Sequence, residues 1–277
     1  MSLKRFINRV VIITGSSSGI GRQTALEFAK EGALVVIHGQ SKERLEETLK
    51  LLNSEGINSK RILSIIGQLE KEETPKLILE KTLERFGKID ILINNAAAGC
   101  KPGITFKAGS DANSLDNLDY LFAVNLRSIV QLLEGALPHL KNTKGNIINI
   151  STSGSIRPLR SAAFYCALKS ALDRLTESYA QIWGPKGVRI NCVSPGPIKT
   201  LIFERNGICG TKKEQHQKWV ESATLMGRYG KVEEVSSVIK FLASDEASFV
   251  CGANWLVDDG MSIKSVPVDI SGEIIEK

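Results

Sequence analysis

Histidine is scarce in this chain of 277 residues: His38, His139 and His216 lie far apart, so a metal site or a Ser-His-Asp triad has little to be built from. The five cysteines, at positions 100, 166, 192, 209 and 251, contain no CxxC pair and are odd in number. They read as reduced, partly buried thiols of a cytoplasmic protein, not as a disulfide framework. Long apolar runs are missing too. Segments such as 10–13 and 33–37 fall far short of the roughly 20 residues that span a bilayer, so no membrane partner is expected. The start, MSLKRFINR, has charge but no apolar h-region, which speaks against secretion. No block of like charge stands out. The 36 basic and 30 acidic residues leave +6, spread along the chain as a solvated surface that favours an anionic ligand at most, not nucleic acid. An apolar fraction of 42% with 24% charged residues is that of a soluble protein with a sizeable core. Neither a Pro/Gly/Ser linker nor an internal repeat divides the chain, so one domain over 1–277 is expected.

What is present is alternation. Short β-branched runs at 10–14, 34–38, 62–67, 89–94, 146–150, 188–193 and near 255–257 read as strands. Helical periodicity falls between them, at 20–31, 42–54, 74–86, around 115–139, at 162–183 and around 232–242. In the second of these Leu45, Leu49 and Leu52 repeat at i, i+4, i+7. Strands separated by helices imply βαβ units, hence an α/β fold: a doubly wound, Rossmann-type parallel sheet flanked by helices on both faces. Near-continuous apolar strands suit a sheet covered on both sides. Two long segments break the pattern, a polar loop at 100–114 and a stretch at 201–227. Ligands of open α/β sheets bind beyond the carboxyl ends of the strands, where such loops become walls or lids.

Two local signals carry chemistry. Thr14-Gly15-Ser16-Ser17-Ser18-Gly19-Ile20-Gly21 follows a strand and opens a helix. Glycines there let the backbone turn sharply and approach a pyrophosphate, and the helix N-terminus offers free N–H groups. The spacing is TGxxxGxG, not GxGxxG. Second, Tyr165 and Lys169 stand at i and i+4 of a helix, which puts phenol and ammonium on one face. A neighbouring cation is expected to lower the phenol pKa and make it a general acid or base.

With the motifs around them, these residues resemble the short-chain dehydrogenase/reductase family in its single-domain form of about 250 residues. TGSSSGIG (14–21), NNAA (94–97), Asn125 in FAVNLRS, INIST (148–152), YCALK (165–169), SPGPIKT (194–200), GRYGKVEEV (227–235) and VDDG (257–260) appear in order. The resemblance spans residues 7 to 262 and implies an NAD(P)-dependent oxidoreductase that interconverts a secondary alcohol and a ketone. It makes Tyr165 the general acid/base, Lys169 its partner and the ligand of the nicotinamide ribose, and Asn125 the holder of a helix position and a proton-carrying water. Gly15, Ser17, Ser18, Gly19, Ile20 and Gly21 would surround the pyrophosphate. Asn95, Ala96 and Ala97 would flank the cofactor, with Pro195, Gly196, Ile198 and Thr200 at its nicotinamide end. The hydroxyl thirteen residues before the tyrosine falls on Thr152 where the family has serine, and Ser153 is the alternative. Gln68 stands where an aspartate commonly meets adenine. Ala97 and Asp259 each replace a usual glycine, and nothing in the sequence accounts for Asp259. At the end of the second strand no carboxylate is present to repel a 2′-phosphate, and Gln40, Ser41, Lys42 and Arg44 are at hand. NADP is therefore favoured over NAD. A lid at 201–226, a tail at 263–277 and a homotetramer or homodimer complete the expectations. Reduction of a carbon–carbon double bond and a silent nucleotide-binding regulator are the competing readings.

Overall fold

The structure, a computed structural model, describes residues 4–104, 112 and 114–264. Strand β1, Val10–Ile13, is four apolar residues in a row, all buried. Side chains alternate across a strand, so Val11 and Ile13 enter one core while Val10 and Ile12 enter the other. An uninterrupted apolar run is what a sheet covered on both faces requires. Helix α1, Gly19–Lys30, follows, then β2, Leu34–Gly39, and α2, Lys42–Ser54. Next come β3, Ile62–Ile66, α3, Glu73–Phe86, and β4, Ile91–Asn94. Helix α4, Leu115–Phe122, passes through a π-helical turn, Ala123–Arg127, into α5, Ser128–Thr143. Strand β5, Asn146–Ile150, α6, Ala163–Trp183, and β6, Arg189–Pro195, complete the central part. Two further helices, α7, Ile202–Arg205, and α8, Thr211–Ala223, precede α9, Val232–Ala243, and β7, Asn254–Val257.

Among the described residues seven strands form one parallel sheet in the order β3-β2-β1-β4-β5-β6-β7. Helices α1, α2 and α9 cover one face, with Phe28, Leu45, Leu52 and Ile239 in the core. Helices α3, α5 and α6 cover the other, with Ile78, Leu132, Leu133 and Leu172. Strand order reverses between β1 and β4, which opens a crevice at their carboxyl ends. The expected fold class is thus the observed one.

Three differences bear on the site. The helix expected around 115–139 is broken by the π turn and runs on to Thr143. The segment 201–226, read only as a lid, contains α7 and α8. Of the expected loop at 100–114, residues 105–111 and 113 lie outside the described residues, as do 265–277 of the expected tail.

Candidate active site

The glycine loop is pinned from its neighbour strand. Thr14 Oγ1 accepts hydrogen bonds from the amides of Asn95 and Ala96, both at 3.0 Å, and Asn95 Nδ2 donates to the Thr14 carbonyl at 2.8 Å. Gly15 adopts φ +66°, and a Cβ there would stand 2.7 Å from the Ala96 Cα. A Cβ on Gly21 would stand 2.4 Å from Asn95 Nδ2. Two backbones therefore pass too closely for side chains between them. Ser18, the N-cap of α1, makes no side-chain cap, and the first turn holds no acidic residue. The positive end of that helix is left free for an anion.

His38, at the end of β2, closes the loop from the other side. Its Nδ1 accepts from the Gly15 amide at 3.4 Å and its Nε2 faces the Gly67 carbonyl at 3.1 Å, which fixes the Nε2–H tautomer because a carbonyl only accepts. Burial pushes the imidazole down from 6.5 to about 4, against the Gly67 bond. Between those values the unfolded chain binds more protons than the folded one, so stability falls as pH falls. Wild-type protein should lose about 3 kcal/mol relative to His38→Gln between pH 6.5 and 4, read by urea unfolding at each pH. Parallel pH curves for the two proteins would contradict this role.

Across the crevice, β5 and α6 bring the reactive groups together. Lys169 is wholly buried, and its Nζ donates to the Ile150 carbonyl at 2.8 Å. Burial drives its ammonium down from 10.5 to about 8, with Cys192 and Asp173 opposing the shift. The Lys169 Nζ lies 6.0 Å from the centre of the Tyr165 ring. The expected lowering of the Tyr165 pKa is not what this geometry gives. Burial pushes the phenol up, with Cys166 adding to the effect, so Tyr165 is a neutral proton donor at pH 7. Thr152 starts a 3₁₀ turn, Ser153–Ser155; its Oγ1 accepts from the Gly154 amide at 3.2 Å and faces the Pro195 carbonyl at 3.5 Å. The Ser153 hydroxyl is nearly buried and has no hydrogen-bond partner among the described residues. Asn125, in the π turn, is fully buried. Its Oδ1 accepts from the Ala98 amide at 3.1 Å, and its Nδ2 donates to the Ala98 carbonyl at 2.9 Å and the Leu121 carbonyl at 3.0 Å. Asn125 thus clamps the chain leaving β4. A π turn of this kind commonly marks a functional position.

These elements enclose a cavity of about 980 Å³. Small-molecule sites commonly run to about 300–1,000 Å³, so a dinucleotide and a substrate fit together. Of the residues singled out in the sequence, Gly15, Ser17, Ser18, Gly19, Ile20, Gln40, Asn95, Ala96 and Ala97 line it. So do Thr152, Ser153, Tyr165, Pro195, Gly196, Ile198 and Thr200. Gly21, Asn125 and Lys169 stand behind the wall. Three others point elsewhere. Ser41 caps α2 by accepting from the Arg44 amide, the Lys42 side chain is 72% exposed beside Glu46, and Gln68 is exposed. The helix start at Ser41 turns Lys42 outward, and Leu69 and Glu70 take the wall beside Gln68. From the segment expected to wall the substrate, Phe203, His216 and Trp219 line the cavity, and so does Arg205, which sequence reasoning did not single out because no strand fixes the register of α7.

A family profile described as enoyl-(acyl carrier protein) reductase matches residues 15–262. A cofactor-bound short-chain dehydrogenase/reductase of Caenorhabditis elegans, titled as of unknown function, superimposes with TM-score 0.87 at 35% identity, covering 94% of this chain and 97% of that one. The chain belongs to the short-chain dehydrogenase/reductase family. It is also 35% identical to meso-2,3-butanediol dehydrogenase of Serratia marcescens over 92% of this chain and 95% of that protein. A 3-ketoacyl-(acyl-carrier-protein) reductase of Brucella melitensis, complexed with NADH, matches at 28% identity and TM-score 0.79, covering 93% and 99%. Short-chain dehydrogenase/reductases bind a nicotinamide dinucleotide. The residues here fit one: a pinned glycine loop, an uncapped positive helix end and a cavity of sufficient size. In addition, the Arg44 Nε is buried without a partner. The departure at Asp259 now has a physical account. Its φ is +50°, a region that glycine occupies freely and aspartate tolerates. In return Asp259 Oδ2 accepts from the Met226 amide at 2.8 Å and its carbonyl from the Leu225 amide at 3.0 Å, tying the chain after α8 to the end of β7.

Proposed function

We propose that this oxidoreductase interconverts a secondary alcohol and a ketone using NADP(H), with Tyr165 as general acid in reduction and general base in oxidation. The observation that carries this reading is Tyr165 on the cavity wall, held neutral by burial, one helical turn from the buried Lys169. The bound dinucleotide supplies or takes the hydride. Thr152 has its oxygen fixed by the Gly154 amide, while its own proton meets the Pro195 carbonyl at a length too great for a good bond. We assign that proton to the substrate oxygen beside Tyr165, with the Ser153 hydroxyl, also on the cavity wall and without a partner among the described residues, as the alternative donor. Lys169 would hold the ribose hydroxyls of a bound dinucleotide, and Asn125 keeps the β4 exit in place. The free amides at the start of α1 would take the pyrophosphate. With Gln40 and Arg44 and no carboxylate at the end of β2, a 2′-phosphate is attracted, not repelled. Phe203, His216 and Trp219 give the substrate end a ring-lined wall suited to a bulky apolar ketone.

The profile's description favours a second reading, reduction of a carbon–carbon double bond. One experiment separates the two. Purified protein is titrated with NADPH and NADH by fluorescence, then given saturated ketones and an α,β-unsaturated ketone. We expect NADPH to bind at least about tenfold more tightly, a difference of about 1.4 kcal/mol, and the carbonyl to be reduced. Preference for NADH overturns the cofactor assignment, and a saturated ketone as sole product overturns the reaction. Binding of neither cofactor leaves a silent regulator. Light scattering of the same preparation should show a homodimer or homotetramer. The exposed Phe249 and the half-exposed Trp255 and Leu256 of edge strand β7 are apolar surface for such contacts.

A further inference from the structure

Two guanidinium groups meet at the adenosine end of the cavity without an acid to balance them. Arg44 comes from α2 and has its Nε buried and unpartnered. Arg205 comes from α7, on the lid, and donates to Ser18 Oγ at 3.0 Å, across 187 residues of chain. Both line the cavity. Among the described residues neither is within ion-pair distance of a carboxylate, because the nearby acids are engaged elsewhere: Glu47 with Arg22 at 2.8 Å, and Glu204 with Lys213 at 2.7 Å. Burial depresses the Arg205 pKa, and the charges of Arg44 and Arg22 depress it further. Unbalanced cations held together lack only an anion. A phosphate monoester carries up to two negative charges and enough acceptor oxygens for two guanidiniums at once. The pyrophosphate is not that anion, since it belongs on the amides of α1. The remaining candidate is a phosphate on the adenosine ribose.

We infer that Arg205 reads the cofactor's 2′-phosphate together with Arg44 and, because it rides on the lid, lets that phosphate hold the lid closed. This rests on the NADP reading above and adds to it the residue that reads the phosphate and the movement it controls. Phe203 lies two residues from Arg205 on α7 and packs on His216, with ring centres 4.5 Å apart. Closing through Arg205 therefore sets the ring-lined substrate wall at the same time.

The test uses the full chain and two fragments, adenosine 2′,5′-bisphosphate and 5′-AMP, titrated calorimetrically. Wild-type protein should bind the bisphosphate at least about tenfold more tightly, and Arg205→Met should cut that ratio about tenfold with 5′-AMP binding within about twofold of wild type. Arg205→Lys, which keeps the charge but not the fork, should fall between. The bisphosphate should also slow tryptic cleavage at the exposed Lys212, Lys213 and Lys218 of α8 in wild type but not in Arg205→Met. Equal binding of the two fragments by wild type overturns both this inference and the NADP reading. A wild-type preference that Arg205→Met retains overturns the role of Arg205 and leaves the NADP reading standing. A ratio that falls without tryptic protection in wild type overturns the coupling to the lid.

Discussion

Tyr165→Phe should lower turnover by about 10³-fold or more while leaving the cofactor dissociation constant within about threefold of wild type. The change deletes one oxygen from the cavity wall. That hydroxyl has no hydrogen-bond partner among the described residues, so little stability goes with it. Because burial keeps the phenol neutral, the lost group is a proton donor already charged with its proton at pH 7. The loss should appear in kcat under conditions of saturating cofactor, measured alongside a binding titration. Thr152→Val should act in the same direction by about 10²-fold, as removal of one donor to a developing oxyanion does, and Ser153→Ala should stay near wild type. Normal turnover in Tyr165→Phe contradicts the proposed mechanism outright. Normal turnover in Thr152→Val together with loss in Ser153→Ala would exchange the roles of those two hydroxyls.

Lys169→Met should lower turnover by about 10²- to 10³-fold and also change how stability depends on pH. A lysine taken from 10.5 to about 8 by burial costs the folded state about 3 kcal/mol while it is charged. Between those pH values the unfolded chain holds more protons, so wild-type stability rises relative to Lys169→Met as pH climbs from 8 to 10.5. The other titrating groups are common to both proteins and cancel in the comparison. The stability difference between them should therefore move by about 3 kcal/mol across that window in paired denaturant titrations. A difference that stays flat with pH would mean that Lys169 is not held charged in a dry site. A stability cost of this size, at a fully buried lysine, is how active sites commonly trade stability for activity.

The sheet was legible because its signal is local. Val10–Ile13 and Asn146–Ile150 are apolar or neutral runs between turn residues, and the period of the helices between them is that of their buried faces. Gly15, Asn95 and Pro195, fixed by strand ends, and Tyr165, in the first turn of α6, all line the cavity. Side chains one step beyond a strand end were less readable. Lys42 and Arg44 are two residues apart, and only the helical phase set by the Ser41 cap decides that Arg44 faces inward and Lys42 outward. Arg205 was out of reach for a different reason, since its partner Ser18 lies 187 residues away and no pattern in the sequence links them. Asp259 became intelligible only through its backbone angle.

The π turn at Ala123–Arg127 has a consequence for how this gene can vary in length. It holds one residue more than a plain helix would need between α4 and α5. Removing that residue would close the turn into plain helix and keep α4 and α5 in phase, so Leu132, Leu133 and Leu140 would still face the sheet. Asn125 would lose the widened backbone from which it holds Ala98. A single-codon deletion at this turn is therefore expected to spare the fold and remove the clamp, whereas one in the plain helix on either side rotates all that follows by about 100°.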